Sequence, residues 1–238
     1  MPPVEDTGSS EPPAAKRAKQ APLELRYFPV MAKGLGPTLI LETSGLAWKG
    51  RQELGFDAKK HWADLKPTTP FGQLPLLTTA EGGMIAQTTA ICNVIGRMAS
   101  MEGGTEREYA VSQMLLAESE DIYAQMQKCV PTCFVPLEKK LGKEGYDHFW
   151  AETLPAHLAK LDVLCAQGVG FEGTPGGLYL FSMLHQCALV KPDVFDAAPG
   201  QPGALAHWYK ATLGKPAVER VLKGESSAGE FVQYFVAA

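Results

Sequence analysis

The stretch best suited to bind a ligand through its main chain covers residues 70–77, Pro-Phe-Gly-Gln-Leu-Pro-Leu-Leu. Its apolar part, residues 74–77, is typical of a short strand, but Pro75 cannot donate a main-chain hydrogen bond within a sheet. Pro75 therefore predicts that this stretch lies at a sheet edge or in a turn. An X-Pro bond also adopts the cis form at a cost of only about 0.5–1 kcal/mol. A cis bond would turn the N–H and C=O of Leu74 outward, where an extended peptide could bind as an added strand. A turn that merely enters a strand is the alternative, and this stretch alone leaves both open.

Alternating strands and helices are predicted around this stretch. Leucines and Tyr27 alternate with charged residues over residues 23–28, which predicts a strand that Pro29 ends. The further elements predicted in this half are a helix over residues 37–43, a strand at 46–48, a helical turn at 61–66, an edge strand at 74–79, a strand at 84–86 and a helix from Gln87 or Thr88 to about Ser100. The order β-α-β, loop, β-β-α is typical of a thioredoxin-like domain, which we expect over residues 23–102.

Strand signals end near Thr105, and an all-helical domain is predicted over residues 105–238. Apolar residues recur at helical spacing in this half. The predicted helices cover residues 106–130, with Met114, Leu115, Ile122 and Met126 near one stripe, then 146–167, 178–190, 203–213 and 216–222. The helix at 178–190 is the most apolar, so we expect it to be central and buried on all sides.

Composition indicates a globular protein, with 45% apolar and 20% charged residues in a chain of 238. The formal net charge of −4 argues against a nucleic-acid partner. No apolar run reaches the about 18 residues of a membrane helix, so we expect no membrane partner. The five cysteines are odd in number and lack zinc spacing, which predicts reduced thiols in the cytoplasm and no metal site. Residues 1–22 are rich in proline and poor in bulky apolar side chains, which predicts a disordered tail.

A small α/β unit with Leu-Pro at a strand edge, followed by an all-helical half, resembles the glutathione transferase family. The motifs that support the resemblance are Trp62-x-x-x-Lys66, Pro70-Phe71-Gly72-Gln73-Leu74-Pro75, Gln87-Thr88 before a helix, Lys191-Pro192-Asp193 and Pro216-Ala217-Val218. The resemblance covers about residues 23–223. It is closest to the sigma-like group, which includes the glutathione-dependent prostaglandin D synthases and the cephalopod lens crystallins.

The resemblance implies that glutathione is the co-substrate and that Tyr27 is catalytic. Glutathione is an anionic tripeptide that reacts as the thiolate, although a free thiol titrates only near about pH 8.5. The Tyr27 hydroxyl would donate to the sulfur and stabilise the thiolate. One such hydrogen bond contributes about 1.5–3 kcal/mol, which lowers the thiol pKa by about one to two units. Taken without the resemblance, Tyr27 could also be a half-buried strand tyrosine.

The resemblance also implies which residues bind glutathione. The main chain of Leu74 would pair with the cysteinyl part, and Gln87 and Thr88, at a helix start, suit the γ-glutamyl carboxylate. Trp62 and Lys66 share a helical face and would bind the glycyl carboxylate. The full set of implied binding residues is Phe28, Lys33, Trp62, Lys66, Gln73, Leu74, Pro75, Gln87 and Thr88. The alternatives are simple capping by Thr88 and a surface lysine, Lys66, resting on the indole of Trp62.

Four positions depart from the family pattern. Lys33 replaces an arginine and keeps the charge without the bidentate fork, and Thr88 replaces a serine and keeps the hydroxyl. Gln113 falls where the family has an aspartate that reaches the glutathione of the partner subunit. Leu178 falls at the aspartate of a capping box in the central helix, so we expect slower folding or lower stability.

The leading hypothesis is an enzyme that conjugates glutathione to a soft, apolar electrophile, as in detoxification. The electrophile would lie between Tyr27, the loop at residues 29–36 and the long helix near Tyr123 and Gln127. A prostaglandin-type isomerase would differ only in pocket shape, and a non-catalytic, crystallin-like protein is a further alternative. A role of residues 1–22 in recruiting partners is also open. The resemblance implies a homodimer.

Overall fold

The computed structural model describes residues 21–195 and 203–238, so the predicted tail at residues 1–22 lies almost entirely outside the described residues. A mixed sheet comes first. Its strands are β1 (Leu23–Arg26), β2 (Trp48–Lys49), β3 (Leu76–Thr78) and β4 (Met84–Ala86). The helices that accompany the sheet are α1 (Leu35–Ser44), α2 (Ala58–Leu65) and α3 (Thr88–Met98). This order confirms the predicted thioredoxin-like unit.

The sheet has the strand order β2-β1-β3-β4. β1 pairs with β2 in parallel and with β3 in antiparallel, and β3 and β4 form a hairpin with Leu77 opposite Ile85. The prediction that residues 74–79 form an edge strand is therefore wrong, because β1 and β4 cover both sides of β3. Leu74 and Pro75 precede the first paired residue, where a proline removes no hydrogen bond from the sheet. The Leu74–Pro75 bond is cis, which is one of the two alternatives that the sequence left open.

The first strand is shorter than predicted and the first helix is longer. β1 ends at Arg26, so Tyr27 and Phe28 follow the strand instead of belonging to it. α1 begins earlier than predicted, at Leu35, and is followed by Gly45, whose φ of 69° is the left-handed conformation that glycine favours at helix ends. Tyr27 and the turn before α1 therefore lie at the carboxyl end of β1.

Two smaller shifts concern β2 and α2. β2 covers Trp48–Lys49 instead of residues 46–48. α2 begins before the predicted turn at residues 61–66, because the Asp57 side chain caps it by accepting a hydrogen bond from the N–H of Lys59 at 3.0 Å.

The second half of the described chain is helical. Its helices are α4 (Glu106–Cys129), α5 (Gly142–His148), α6 (Leu154–Cys165), α7 (Pro175–Val190), α8 (Ala204–Leu213) and α9 (Pro216–Leu222). The helix predicted over residues 146–167 is interrupted by a π-helical turn at Phe149–Thr153. Pro155 explains the interruption, because its ring nitrogen cannot donate to the carbonyl of Ala151. Within the described residues, no helix is both long and apolar enough to cross a membrane.

The helix α7 is central, as predicted, and almost all of it is buried. Thr174 caps its first turn by accepting a hydrogen bond from the N–H of Gly177 at 3.1 Å, although Leu178 replaces the capping aspartate of the family pattern. α7 approaches α4 so closely that a Cβ on Gly176 would lie 2.0 Å from the carbonyl oxygen of Ser112. The cap and the close approach together fix α7 against the long helix.

The apolar stripe predicted on the long helix α4 is confirmed at three of its four residues. Leu115, Ile122 and Met126 are buried as predicted, but Met114 is 55% exposed. Met114 directly precedes Leu115 and therefore points about 100° away around the helix. It faces a surface groove between α4 and α6.

The chain after α9 is extended. Val232 pairs with Val30 in a parallel bridge, and Phe235 pairs with Thr132 in an antiparallel bridge. The Phe235 side chain is fully buried. We call residues 226–238 the C-terminal segment. It connects the loop after β1 with the chain that follows α4.

Candidate active site

Tyr27 lies just after β1 with only 8% of its surface exposed. Its ring fills the space beside Gly34, where an added Cβ would lie 2.1 Å from the ring. The hydroxyl oxygen accepts a hydrogen bond from the main-chain N–H of Lys33 at 3.2 Å. Because the oxygen accepts this bond, its own proton is free to be donated to a ligand. Burial raises the pKa of Tyr27 well above its ordinary value, so the phenol stays protonated at neutral pH.

The turn that supplies the Lys33 N–H is tied to the helical half. Ala32 in this turn has a φ of 24°, which is uncommon for a residue with a Cβ. Its carbonyl accepts a hydrogen bond from Nε2 of Gln186 on α7 at 3.1 Å. Gln186 is buried, and its Oε1 has no partner among the described residues. One buried amide therefore links the central helix to the turn behind Tyr27.

The side chain of Lys33 is occupied within the protein. Its ammonium group forms an ion pair with Glu120 on α4 and lies 4.7 Å from the centre of the Tyr123 ring. Glu120 also accepts a hydrogen bond from the hydroxyl of Tyr179 at 2.5 Å. Lys33 therefore reaches the Tyr27 hydroxyl through its main chain, while its charge is neutralised by α4.

Leu74 presents an unpaired main chain beside Tyr27. Its side chain is half-buried and packs against the cluster of Tyr27, Val30 and Ala32. Neither its N–H nor its C=O makes a hydrogen bond to any other described residue. Pro75, which follows, is buried. These groups can pair with an extended ligand, which is the arrangement of strand addition.

Gln73 and Gln87 are brought together in front of α3. Nε2 of Gln87 donates a hydrogen bond to Oε1 of Gln73 at 3.1 Å. Gln87 has a φ of 71°, a strained conformation for a non-glycine residue that costs on the order of 1–3 kcal/mol. Thr88 is buried as the first residue of α3, and no side chain caps this helix. The first N–H groups of α3 are therefore available to a carboxylate.

Trp62 and Lys66 lie where α2 ends, one helical turn apart. The N–H of Lys66 donates to the carbonyl of Trp62. Trp62 is half-buried and Lys66 is exposed. The Lys66 stem passes over Gly72, since an added Cβ there would lie 3.4 Å from Cε of Lys66. The ammonium is thus next to the loop that contains Gln73 and Leu74.

Phe28 of the implied set has a structural partner, and so does Gln113, one of the four departures from the family pattern. Phe28 is 36% exposed and packs edge-to-face on Tyr27, with ring centres 5.5 Å apart. Gln113 forms a reciprocal amide pair with Asn93, at 3.0 Å and 2.8 Å. Gln113 therefore fixes α4 against α3.

Sequence reasoning overlooked the C-terminal segment as part of this site. Its Phe231 and Tyr234 pack against the cluster that contains Tyr27, as does Tyr123 of α4. Gln127 donates hydrogen bonds to the hydroxyls of Tyr123 and Tyr234. The resemblance ends at about residue 223, and only the density of aromatic residues after position 230 signalled a buried segment.

Comparisons with known proteins point to one family, although no family model matches the chain. Over 106 residues the chain is 33% identical to glutathione S-transferase 1 of Ascaris suum, an alignment that covers 44% of this chain and about half (49%) of the relative. Glutathione S-transferase P of Caenorhabditis elegans is 22% identical over 84% of this chain and 91% of the relative.

Solved structures show the same fold. The glutathione S-transferase of Ascaris lumbricoides matches with a TM-score of 0.69 and 25% identity, over 87% of this chain and 98% of that one. The sigma class GST of Fasciola hepatica matches with a TM-score of 0.69 and 22% identity, over 86% of this chain and 97% of that one. The chain is therefore similar to glutathione S-transferases in sequence and has their fold.

Proposed function

We infer that the chain is a member of the glutathione S-transferase family and that it activates the thiol of glutathione for transfer to an electrophile. The observation that supports this most is the proximity of a proton-donating phenol, Tyr27, to the unpaired main chain of Leu74. A tripeptide paired with Leu74 brings its cysteine sulfur to the Tyr27 hydroxyl. A hydrogen bond from this phenol to the sulfur favours the thiolate, which is the reactive form.

Glutathione binds across the site in an extended conformation. Its cysteinyl main chain pairs with the N–H and C=O of Leu74. Its γ-glutamyl carboxylate lies at the uncapped start of α3, beside Gln73 and Gln87. Its glycyl carboxylate is bound by the Lys66 ammonium and the indole N–H of Trp62. The proposal is supported by the Lys66 stem beside Gly72, two residues before Leu74, and by the hydrogen bond between Gln73 and Gln87 in front of α3.

Three other residues of the implied set act indirectly. Lys33 acts through its N–H, which orients the Tyr27 hydroxyl, because its ammonium is paired with Glu120. Phe28 packs on the Tyr27 ring. Thr88 is buried at the start of α3 and fixes the backbone that meets the carboxylate.

The finer assignment is to the sigma-like group, supported by the motifs around Leu74. The proposed domains are residues 23–102 and 105–238, after a tail at 1–22, since α3 ends at Met98 and α4 begins at Glu106. A cytoplasmic location and a role in detoxification are proposed with the family. The unpaired state of the five cysteines suits a reducing compartment.

A homodimer is proposed through the groove between α4 and α6. The groove has a volume of about 800 Å³. Met114 and Val163 on its walls are 55% and 67% exposed, and an apolar surface of this kind is typical of an interface. Light scattering of the full chain should give twice the chain mass, and Met114→Glu should reduce it. A monomeric mass for the unmodified chain would contradict the proposal.

The decisive experiment for the function is conjugation of a chloronitrobenzene to glutathione. We expect Tyr27→Phe to lower kcat by about tenfold or more, because one hydrogen bond to the thiolate is lost. Tyr109→Phe is the matched control, since Tyr109 is exposed on α4 away from the site. Equal rates for the unmodified chain and Tyr27→Phe, with glutathione bound in both, would refute the role of Tyr27. Binding without turnover in the unmodified chain would favour the crystallin-like alternative.

A further inference from the structure

The helix α2 is not held in place by a buried face. Among the described residues, none of its side chains is buried, and none belongs to a hydrophobic cluster. Its position therefore depends on the chain at its two ends. This dependence affects the proposed site, because α2 contains Trp62 and is followed directly by Lys66, the two residues assigned to the glycyl carboxylate.

The chain just before α2 forms a compact turn. The N–H of Leu54 donates a hydrogen bond to the carbonyl of Gly50 at 2.9 Å. The N–H of Phe56 donates one to the carbonyl of Arg51 at 2.8 Å. Phe56 is buried, and Asp57 caps α2 directly after it. The turn and the start of α2 are thus one continuous hydrogen-bonded unit, so a contact that holds the turn also holds α2.

The C-terminal segment holds this turn through Ser227. The Ser227 hydroxyl accepts a hydrogen bond from the N–H of Gly50 at 2.8 Å, and the Ser227 carbonyl accepts one from the N–H of Glu53 at 3.2 Å. The two chains approach so closely that a Cβ on Gly50 would lie 2.4 Å from the main-chain nitrogen of Ala228. Only glycine therefore fits where the segment crosses the turn.

Arg51 provides a second attachment of the turn to the C-terminal segment. Its guanidinium group donates a hydrogen bond to the carbonyl of Glu230 and lies 5.9 Å from the centre of the Phe231 ring. The next residue of the segment, Val232, is bonded through its main chain to the loop that follows Tyr27. One extended segment therefore fixes both the turn before α2 and the loop after Tyr27.

We propose that the C-terminal segment positions α2, and that Arg51 and Ser227 are positioning residues for the glycyl end of glutathione. Neither residue has to touch the tripeptide, because each acts through the turn that fixes the start of α2. This inference rests on the proposed function, since that function assigns the glycyl carboxylate to Trp62 and Lys66. It extends the determinants of glutathione affinity beyond residue 223, where the family resemblance ends.

The test compares the affinities of the full chain for glutathione and for glutathione esterified with ethanol at its glycine, both measured by calorimetry. The ester keeps the thiol and the γ-glutamyl end, but it lacks the charge assigned to Trp62 and Lys66. We expect the unmodified chain to bind glutathione more tightly than the ester. In the double variant Arg51→Met/Ser227→Ala, the ratio of the two affinities should fall about tenfold, while the affinity for the ester changes little.

Two variants at neighbouring cations are the controls. Arg51→Lys keeps a cation that can donate to the Glu230 carbonyl, so it should retain more of the preference for glutathione than Arg51→Met does. Lys49→Met removes an exposed cation that pairs with Glu53 instead of the C-terminal segment, and it should leave the ratio unchanged. The single variants Arg51→Met and Ser227→Ala keep the test valid if the double variant is unstable.

Hydrogen exchange of the α2 amides is a second readout, and it requires no ligand. We expect faster exchange in α2 of the double variant and unchanged exchange in α7, because the attachment is local. Faster exchange in both helices would indicate a general loss of stability and would overturn the inference. An unchanged ratio of affinities would also overturn it, whether both affinities fall together or neither falls. Failure of the unmodified chain to bind glutathione would instead refute the proposed function itself.

Discussion

Replacing Gln186 with leucine tests whether the central helix positions the turn behind Tyr27. Leucine is close to glutamine in volume, so the cavity in the core should be small. The substitution removes the donor to the Ala32 carbonyl, and it also removes the unpaired Oε1. Leaving the carbonyl without a donor costs about 1–3 kcal/mol, while losing a buried unpaired oxygen returns a similar amount. We therefore expect the free energy of unfolding to change little.

The effect on the bound thiol should be larger. If the turn relaxes, the Lys33 N–H orients the Tyr27 hydroxyl less well, and about 1 kcal/mol of thiolate stabilisation is lost. At about 1.36 kcal/mol per unit, the thiol pKa in the glutathione complex should rise by about 0.7 units. Conjugation rates below this pKa should then fall about fivefold, and the pH–rate profile should shift upward.

The assay is the pH dependence of kcat/KM together with the thiolate absorbance of the glutathione complex. Thr212→Val is the matched control, because Thr212 is buried on α8 and its Oγ1 also lacks a partner among the described residues. An unshifted profile in Gln186→Leu would refute the positioning role. A shift of the same size in the control would do so as well.

Three further predictions concern single sites. Lys66→Met should raise KM for glutathione about tenfold or more, because a charge-assisted bond of about 1.5–3 kcal/mol is lost. Lys60→Met, at an exposed position of α2, should leave KM unchanged in steady-state kinetics. Gly34→Ala should lower kcat by about tenfold or more, because the added Cβ would lie 2.1 Å from the Tyr27 ring and the phenol must move. Circular dichroism should show that the fold is retained. An unimpaired kcat would contradict the packing of Tyr27 against Gly34. Burial lowers the pKa of His185 to about 4, below the value of about 6.5 in the unfolded chain. The contribution of His185 to the free energy of unfolding is therefore fully present above pH about 6.5. It falls by about 3 kcal/mol as the pH drops toward 4. Denaturant titrations at several pH values should show this loss, and His185→Phe should reduce it.

The elements around the site follow from local sequence signals. Two local signals indicated the elements that flank Leu74. Pro75 before an apolar pair indicated the loop, and Thr88 at a helix start indicated the helix. The edge assignment of β3 failed because the hairpin partner at Met84–Ala86 pairs along it, and a three-residue strand gives little sign of which side is covered. The interruption at Phe149–Thr153 could have been predicted from Pro155 alone.

The long-range contacts of the site could not be predicted from local patterns. The ion pair of Lys33 joins residues far apart in the chain, and so does the amide contact of Gln186 with Ala32. Periodicity assigns Gln186 to a helix face, but it does not specify which loop packs there. The C-terminal segment has one paired residue for each bridge, too short a pattern for a strand signal. Tyr234 therefore entered the site only through the fold.

The proposed function depends above all on the phenol at position 27, which is proposed to stabilise the thiolate of bound glutathione. The most direct measurement is an ultraviolet titration of the glutathione complex from pH 5 to 10, for the unmodified chain and for Tyr27→Phe. We expect a thiol pKa about one to two units below the free value of about 8.5 in the unmodified chain, and a return toward that value in the variant. The same depressed pKa in both proteins, or no depression in either, would contradict it.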